Sequence, residues 1–269
     1  MLAEMKWLAG ATYLAIRRPR MARQKNDVVD EYTATWDSYA RYLDGCKTLE
    51  EWLRIKGAED VPQFYNISGS LKFEDFNMGA FNQQKVLTAL REHFAAARSI
   101  TEFGCGIGRN LLYIKQQMPH LQCYGYELCR PGVEIAQAAA KKFGLDVSYS
   151  QLDYVRGGED DYVFPKTDVA FTMYSLEQLP ETNRIAIENI LRHTQCGSIH
   201  IEPVPENYPL TYRGIIGRLD HWKANYLRNF ERNISGLGLV GIEREYLNYA
   251  HNPLMFPTLY VLKKYPQKC

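Results

Sequence analysis

The chain has 269 residues and a formal net charge of +1; 46% of its residues are apolar and 13% aromatic. That combination can fill a sizeable core and excludes a disordered or fibrous chain, while the near-neutral charge excludes a global field that would recruit nucleic acid. Six cysteines, at 46, 105, 123, 129, 196 and 269, form neither a CxxC pair nor a zinc-ligand spacing, so reduced thiols in a cytoplasmic compartment are expected, and no structural metal.

Residues 1–25 carry Lys6, Arg17, Arg18, Arg20, Arg23 and Lys25 against Glu4, and their apolar run from Trp7 to Ile16 is ten residues long. A bilayer span needs about 20 residues. The basic cluster follows the apolar run, the reverse of signal-peptide order. The segment reads as a helix lying on the domain or a free arm, with contact to a membrane surface or anionic partner as the lesser expectation. Residues 26–95 read as a mainly helical leader. Within it, residues 31–43 place Tyr32, Trp36, Tyr39, Tyr42 and Leu43 at three- and four-residue steps, which predicts an amphipathic helix. Thr48 with Glu51 three positions later predicts a capping box for the next helix.

Residues 97–103 read as a short buried strand and 110–117 as a helix ending near Pro119. Between them runs Glu102-Phe103-Gly104-Cys105-Gly106-Ile107-Gly108. Three alternate glycines mark a tight turn that lets a ligand approach the backbone closely. A dinucleotide fingerprint would need Gly or Ala at 109, where Arg109 stands. Glu102 at the mouth of the loop disfavours a pyrophosphate and favours a ligand carrying an ammonium and a sulfonium. Cys105 reads as a small space-filler. Residues 121–127 form a second strand ending in Glu127, a carboxylate able to accept both ribose hydroxyls. Further on, 181–193 reads as a helix and 196–203 as a fifth strand. The segment 211–234, with Ile215, Leu219, Trp222, Tyr226, Phe230 and Ile234 on one stripe, predicts one long helix at the carboxyl rim, placed to cap an acceptor.

The glycine segment resembles motif I of the class I S-adenosylmethionine-dependent methyltransferases, an acid followed by three alternate glycines. The resemblance implies a Rossmann-like α/β fold: a seven-stranded mixed sheet with helices on both faces, a leader at 26–95 acting as a lid, and the cap 211–234 inserted after the fifth strand of a cofactor domain at 96–269. In that family 131–143 would be the next helix and 146–153 a third strand closing with Asp153, which faces the adenine amino group. Residues 168–180 would be the fourth strand with its rim loop, and 238–249 with 257–265 the terminal hairpin. S-adenosylmethionine would be held by Glu102, Gly104, Cys105, Gly106, Gly108, Asn110, Glu127, Leu128, Asp153, Tyr154 and Tyr174. Many small-molecule relatives carry a His in the loop after the fourth strand, where this chain has Gln178. The remaining candidates for proton removal are Tyr174, Glu202, His221 and His251, with His251 first because the hairpin turn returns to the carboxyl rim. The expected reaction is O- or N-methylation of a small molecule such as a sugar or secondary metabolite. Protein, peptide, lipid and nucleotide acceptors stay open, as do the oligomeric state and a role as a non-catalytic cofactor-binding subunit.

Overall fold

A computed structural model describes residues 2–21, 25–54, 63–156 and 165–264, the side chains of 37 and 38 excepted. Three helices come first: α1 (Leu2–Arg17), α2 (Lys25–Gly45) and α3 (Leu49–Leu53). The capping box at α3 is formed: the Glu51 N–H donates to Thr48 Oγ1 at 3.2 Å, and the Thr48 N–H donates to the Glu51 carboxylate at 3.2 Å. The leader is not wholly helical, however. Strands β1 (Gln63–Ile67) and β2 (Ser70–Glu74) make an antiparallel hairpin. Ser68 and Gly69, both at positive φ (51° and 76°), give the two-residue turn whose twist matches paired strands. Helix α4 (Met78–His93) follows, capped by Asn77, whose side chain accepts from the Ala80 N–H.

The remaining elements alternate. They are β3 (Ser99–Phe103), α5 (Arg109–Gln117), β4 (Gln122–Glu127), α6 (Arg130–Phe143), β5 (Val147–Gln151), β6 (Thr167–Met173), α7 (Asn183–Arg192) and β7 (Thr194–Pro203). Then come α8 (Tyr212–Lys223), α9 (Phe230–Ser235), β8 (Gly241–Tyr246) and β9 (Pro257–Lys263). Seven strands form one sheet in the order β5-β4-β3-β6-β7-β9-β8. The first five are parallel; β9 runs antiparallel to β7, and β8 antiparallel to β9. The sheet buries both faces, as parallel strands joined by helices must. Ile100, Val169, Phe171 and Ile199 pack with α4, α5 and α6 on one side, while Phe103, Ala170, Tyr260 and Leu262 pack with α7 and α9 on the other.

Two further expectations are corrected. The helix expected over 211–234 is two helices, because Asn225 and Asn229 adopt positive φ (56° and 59°) and break the run between them. Its stripe divides accordingly: Phe230 and Ile234 are buried in the core, whereas Ile215 and Trp222 face solvent. Reduced thiols throughout are also not what is found. Cys46, Cys105, Cys123 and Cys129 are free, but Cys196 is disulfide-bonded.

Candidate functional site

Strand order turns back at β3, which has β4 on one side and β6 on the other. In an open parallel sheet a crevice opens at the carboxyl ends of such a pair. Here it is a cavity of about 830 Å³, floored by the glycine loop and the ends of β4, β5 and β6, and roofed by the Lys25, Tyr32, Trp36 and Tyr39 side of α2. Its size falls within the roughly 300–1,000 Å³ usual for small-molecule sites.

The loop is glycine for local reasons. Gly104 has φ 72°, and a Cβ there would lie 1.9 Å from Ser175 Oγ; Gly106 has φ 53°, and its Cβ would meet the Trp36 ring at 3.0 Å. Three carboxylates surround this cradle. Glu102 is buried behind it, where Oε1 accepts from Asn110 Nδ2 at 2.7 Å and Oε2 has no partner. Burial, reinforced by Glu127, pushes the Glu102 carboxyl well above its ordinary range. Glu127 accepts the N–H of Gly106 and of Cys129, each at 2.9 Å; burial raises its pKa and those two bonds oppose the rise. Asp153 pairs with Lys25 Nζ at 2.5 Å and accepts the Val155 N–H at 3.1 Å. Buried carboxylates with unspent acceptor capacity favour a cationic, multiply donating ligand.

The opposite wall is the loop after β6. Tyr174 sits at φ 53°, an unusual conformation for an aromatic residue, with its N–H donating to Ile201 O at 3.0 Å. The next three amides, of Ser175, Leu176 and Glu177, donate to Glu202, which also accepts from Thr172 Oγ1 at 2.8 Å. Strain at Tyr174 persists because these neighbours over-determine the loop. The Tyr174 hydroxyl makes no hydrogen bond of normal geometry, and burial raises its pKa, so it is a neutral donor. Asn82 Oδ1 and Gln178 Oε1 beside it, and Trp36 Nε1 in the roof, are likewise buried without a partner.

Of the residues singled out from the sequence, Gly104, Cys105, Gly106, Asn110, Glu127, Leu128, Asp153, Tyr154 and Tyr174 line the cavity together. Glu102 and Gly108 lie behind its wall, Gly108 against the Tyr149 hydroxyl. Cys105 is buried, and desolvation pushes its thiol well up, as suits a space-filler. Three expected catalytic groups stand elsewhere. Glu202 is fully buried and spends its carboxylate on the rim loop. His221 bonds the Leu227 carbonyl through Nε2, and burial lowers its pKa to about 4. His251 is on the rim side but turns to β1, bonding Gln63 Nε2 at 2.7 Å and meeting Tyr65 edge-on. Trp222, expected over an acceptor, is exposed, and of the segment 211–234 the cavity wall takes Asn225. Asn82, Arg109 and Lys25 went unread as site residues. Asn82 alone left a signal, being a polar residue on the core-facing side of α4.

Residues 100–197 match the family model described as a methyltransferase domain. A curated relative, the carboxy-S-adenosyl-L-methionine synthase of Campylobacter lari, is 26% identical over 119 residues, covering 44% of this chain and 49% of that protein. The match therefore spans about half the length of that relative. Among solved structures, magnesium protoporphyrin IX methyltransferase from Synechocystis PCC 6803 superposes with a TM-score of 0.58 at 13% identity, covering 90% of this chain and all of that one. An O-methyltransferase family protein from Burkholderia thailandensis gives 0.59 at 12% identity, over 99% and 71%. The [4+2]-cyclase SpnF gives 0.58 at 15% identity, over 93% and 100%. The strand order, the glycine cradle with its strand-end acids and the matched segment agree. Residues 100–197 thus form a methyltransferase-type domain, and the whole chain has the fold of the S-adenosylmethionine-dependent methyltransferases it superposes on.

Proposed function

We propose that this protein transfers the methyl group of S-adenosylmethionine to a small polar acceptor bound against Tyr174. The carrying observation is the division of the cavity, with acids and a glycine cradle on one wall and unpartnered polar groups among aromatic rings on the other. The cofactor supplies an electrophilic methyl on a positively charged sulfur. Glu127 would hold the ribose hydroxyls and Asp153 the adenine end, while Gly104 and Gly106 allow close approach. Trp36 and Tyr39 exclude water from above, and Asn82, Tyr174 and Gln178 orient the acceptor by hydrogen bonds. No histidine is among the described lining residues. Alignment of the acceptor lone pair then carries the rate, and the acceptor's proton leaves to solvent. Sugars and secondary metabolites with hydroxyl or amine groups fit this wall.

The direct test is turnover of labelled cofactor against a panel of hydroxylated and aminated small molecules. Transfer is expected with at least one, and the Tyr174→Phe variant should raise that acceptor's KM about three- to tenfold, the loss of one hydrogen bond, with cofactor affinity intact. Equal kinetics in Tyr174→Phe would remove that residue from the acceptor wall. Cofactor binding with no transfer to any acceptor class would favour the other reading, a protein of this fold without methyl transfer; fold alone does not fix chemistry, and the structural neighbours include a cyclase.

Glu127→Ala should weaken S-adenosylmethionine binding by about 1.5–3 kcal/mol, measured by calorimetry, through loss of charge-assisted bonds. Unchanged affinity would take the ribose contact away from Glu127. Because Glu127 also holds the Gly106 N–H, thermal melts of the variant separate a lost contact from a loosened loop.

A further inference from the structure

Helix α1 is apolar on both sides. Inward it packs Trp7, Ala11 and Ala15 against Ile216 and Leu254. Outward it turns Leu2, Met5, Ala9, Tyr13 and Ile16, at steps of three, four, four and three residues, a single helical stripe. Leu2, Met5 and Ile16 are 68%, 63% and 56% exposed. Helix α8 runs beside it: Thr12 Oγ1 meets the Tyr212 hydroxyl at 3.0 Å, Arg18 pairs with Asp220 at 3.0 Å, and the Met21 N–H donates to the Lys223 carbonyl at 2.7 Å. On α8, Tyr212, Ile215 and Trp222 are also exposed, so the two helices present one continuous apolar face. An exposed apolar stripe of this length belongs under cover, and none of the described residues covers this one.

Apart from Glu4 at the start of α1, the charges on and just after α1 are basic, and Arg18 among them is paired with Asp220. Lys6 and Arg17 flank the stripe on α1, Arg17 lying over the Tyr13 ring and Arg20 over the Trp222 ring. We propose that α1 and α8 form an interfacial face that docks on an anionic phospholipid surface. A second copy of the chain would bring the same arginines against one another, whereas acidic headgroups neutralise them. Trp and Tyr at the border suit headgroup level, where one end of the ring is apolar and the other wet. The attachment is peripheral, because no helix among the described residues is long and apolar enough to cross a membrane. Asn225, three residues beyond Trp222, and Lys25, four beyond Met21, both line the cavity, so the docking face adjoins the site.

Co-sedimentation of the full chain with phosphatidylglycerol/phosphatidylcholine vesicles, against phosphatidylcholine alone, tests this. At about 0.1 M salt the bound-to-free ratio should be about tenfold higher on the anionic vesicles and fall as salt rises. Met5→Glu with Ile16→Glu, and separately Lys6→Glu with Arg17→Glu, should each lower it about tenfold, with melting temperature and cofactor affinity unchanged. Equal sedimentation on both vesicle types, or variants that bind like the parent, would overturn the proposal. So would a solution dimer that dissociates in Met5→Glu/Ile16→Glu without any vesicle preference, which would make a second copy the cover.

Discussion

Gly106→Val should reduce S-adenosylmethionine affinity by about a hundredfold or more, while leaving a folded chain. Two effects add at this position. A β-branched residue is held at φ 53°, where the backbone of L-residues is strained by about 1–3 kcal/mol, and its Cβ would stand 3.0 Å from the Trp36 ring. Relief of that contact must lift α2 off the loop or push the loop into the volume a cofactor would use. Gly106→Ala carries the same φ penalty with less bulk and should fall between. Calorimetric titration beside a circular-dichroism melt reads both quantities. Undiminished affinity in Gly106→Val would mean that the cofactor does not lie on this loop.

The largest stability effect is expected at Glu202. Its carboxylate accepts from three successive amides and a hydroxyl in a site without exposure. Glu202→Ala leaves those donors buried and unpaired, at a cost of about 3–5 kcal/mol. For a domain of this size that corresponds to roughly 6–20 °C in melting temperature. The carboxyl also carries a pH signature. Burial pushes its pKa up to about 7, against the opposing hydrogen bonds. The folded state therefore holds the proton more tightly than the unfolded chain, whose glutamates titrate near 4.3. Stability from this group is greatest below that unfolded value and falls by about 3 kcal/mol as pH rises to about 7. Melting followed from pH 4 to 8 should show the decline, and Glu202→Gln should flatten it. A Glu202→Gln protein with the parent's slope would place the titration on another group.

How far the sequence could be read depended on whether a residue's partner lies nearby in the chain. The glycine triplet, the strand-end acid Glu127 and the Thr48–Glu51 capping box are local patterns, and each was found in the expected element, whereas Asp153, expected to close the third strand, stands two residues beyond the end of β5. The hairpin at 63–74 also had a local signal, Ser68-Gly69 between alternating residues, that a helical reading of the leader passed over. That omission carried a second error. The terminal hairpin does return to the carboxyl rim, with Pro257 opposite Pro203, but β1 occupies the same place: Asn66 bridges Ala250, and Gln63 bonds His251. The break at Asn225 was hidden because the apolar period continues through it. Only tertiary packing distinguishes the outward half of that stripe from the inward half. Glu202 and His221 could be placed near the rim by order alone, but their orientation into backbone donors and a carbonyl is set by segments distant in sequence.

The roof of the cavity is synthesised before its floor. Lys25 meets Asp153, 128 residues further on, Cys129 donates to Val29, and Lys142 to Leu43. At about 5–20 residues per second, the first of these partners follows by roughly 6–26 seconds. Until the loop at 104–108 and then α6 (Arg130–Phe143) follow, the Tyr32, Trp36 and Tyr39 side of α2 has neither to lie on. Completion of the binding site thus waits for segments synthesised well after its roof.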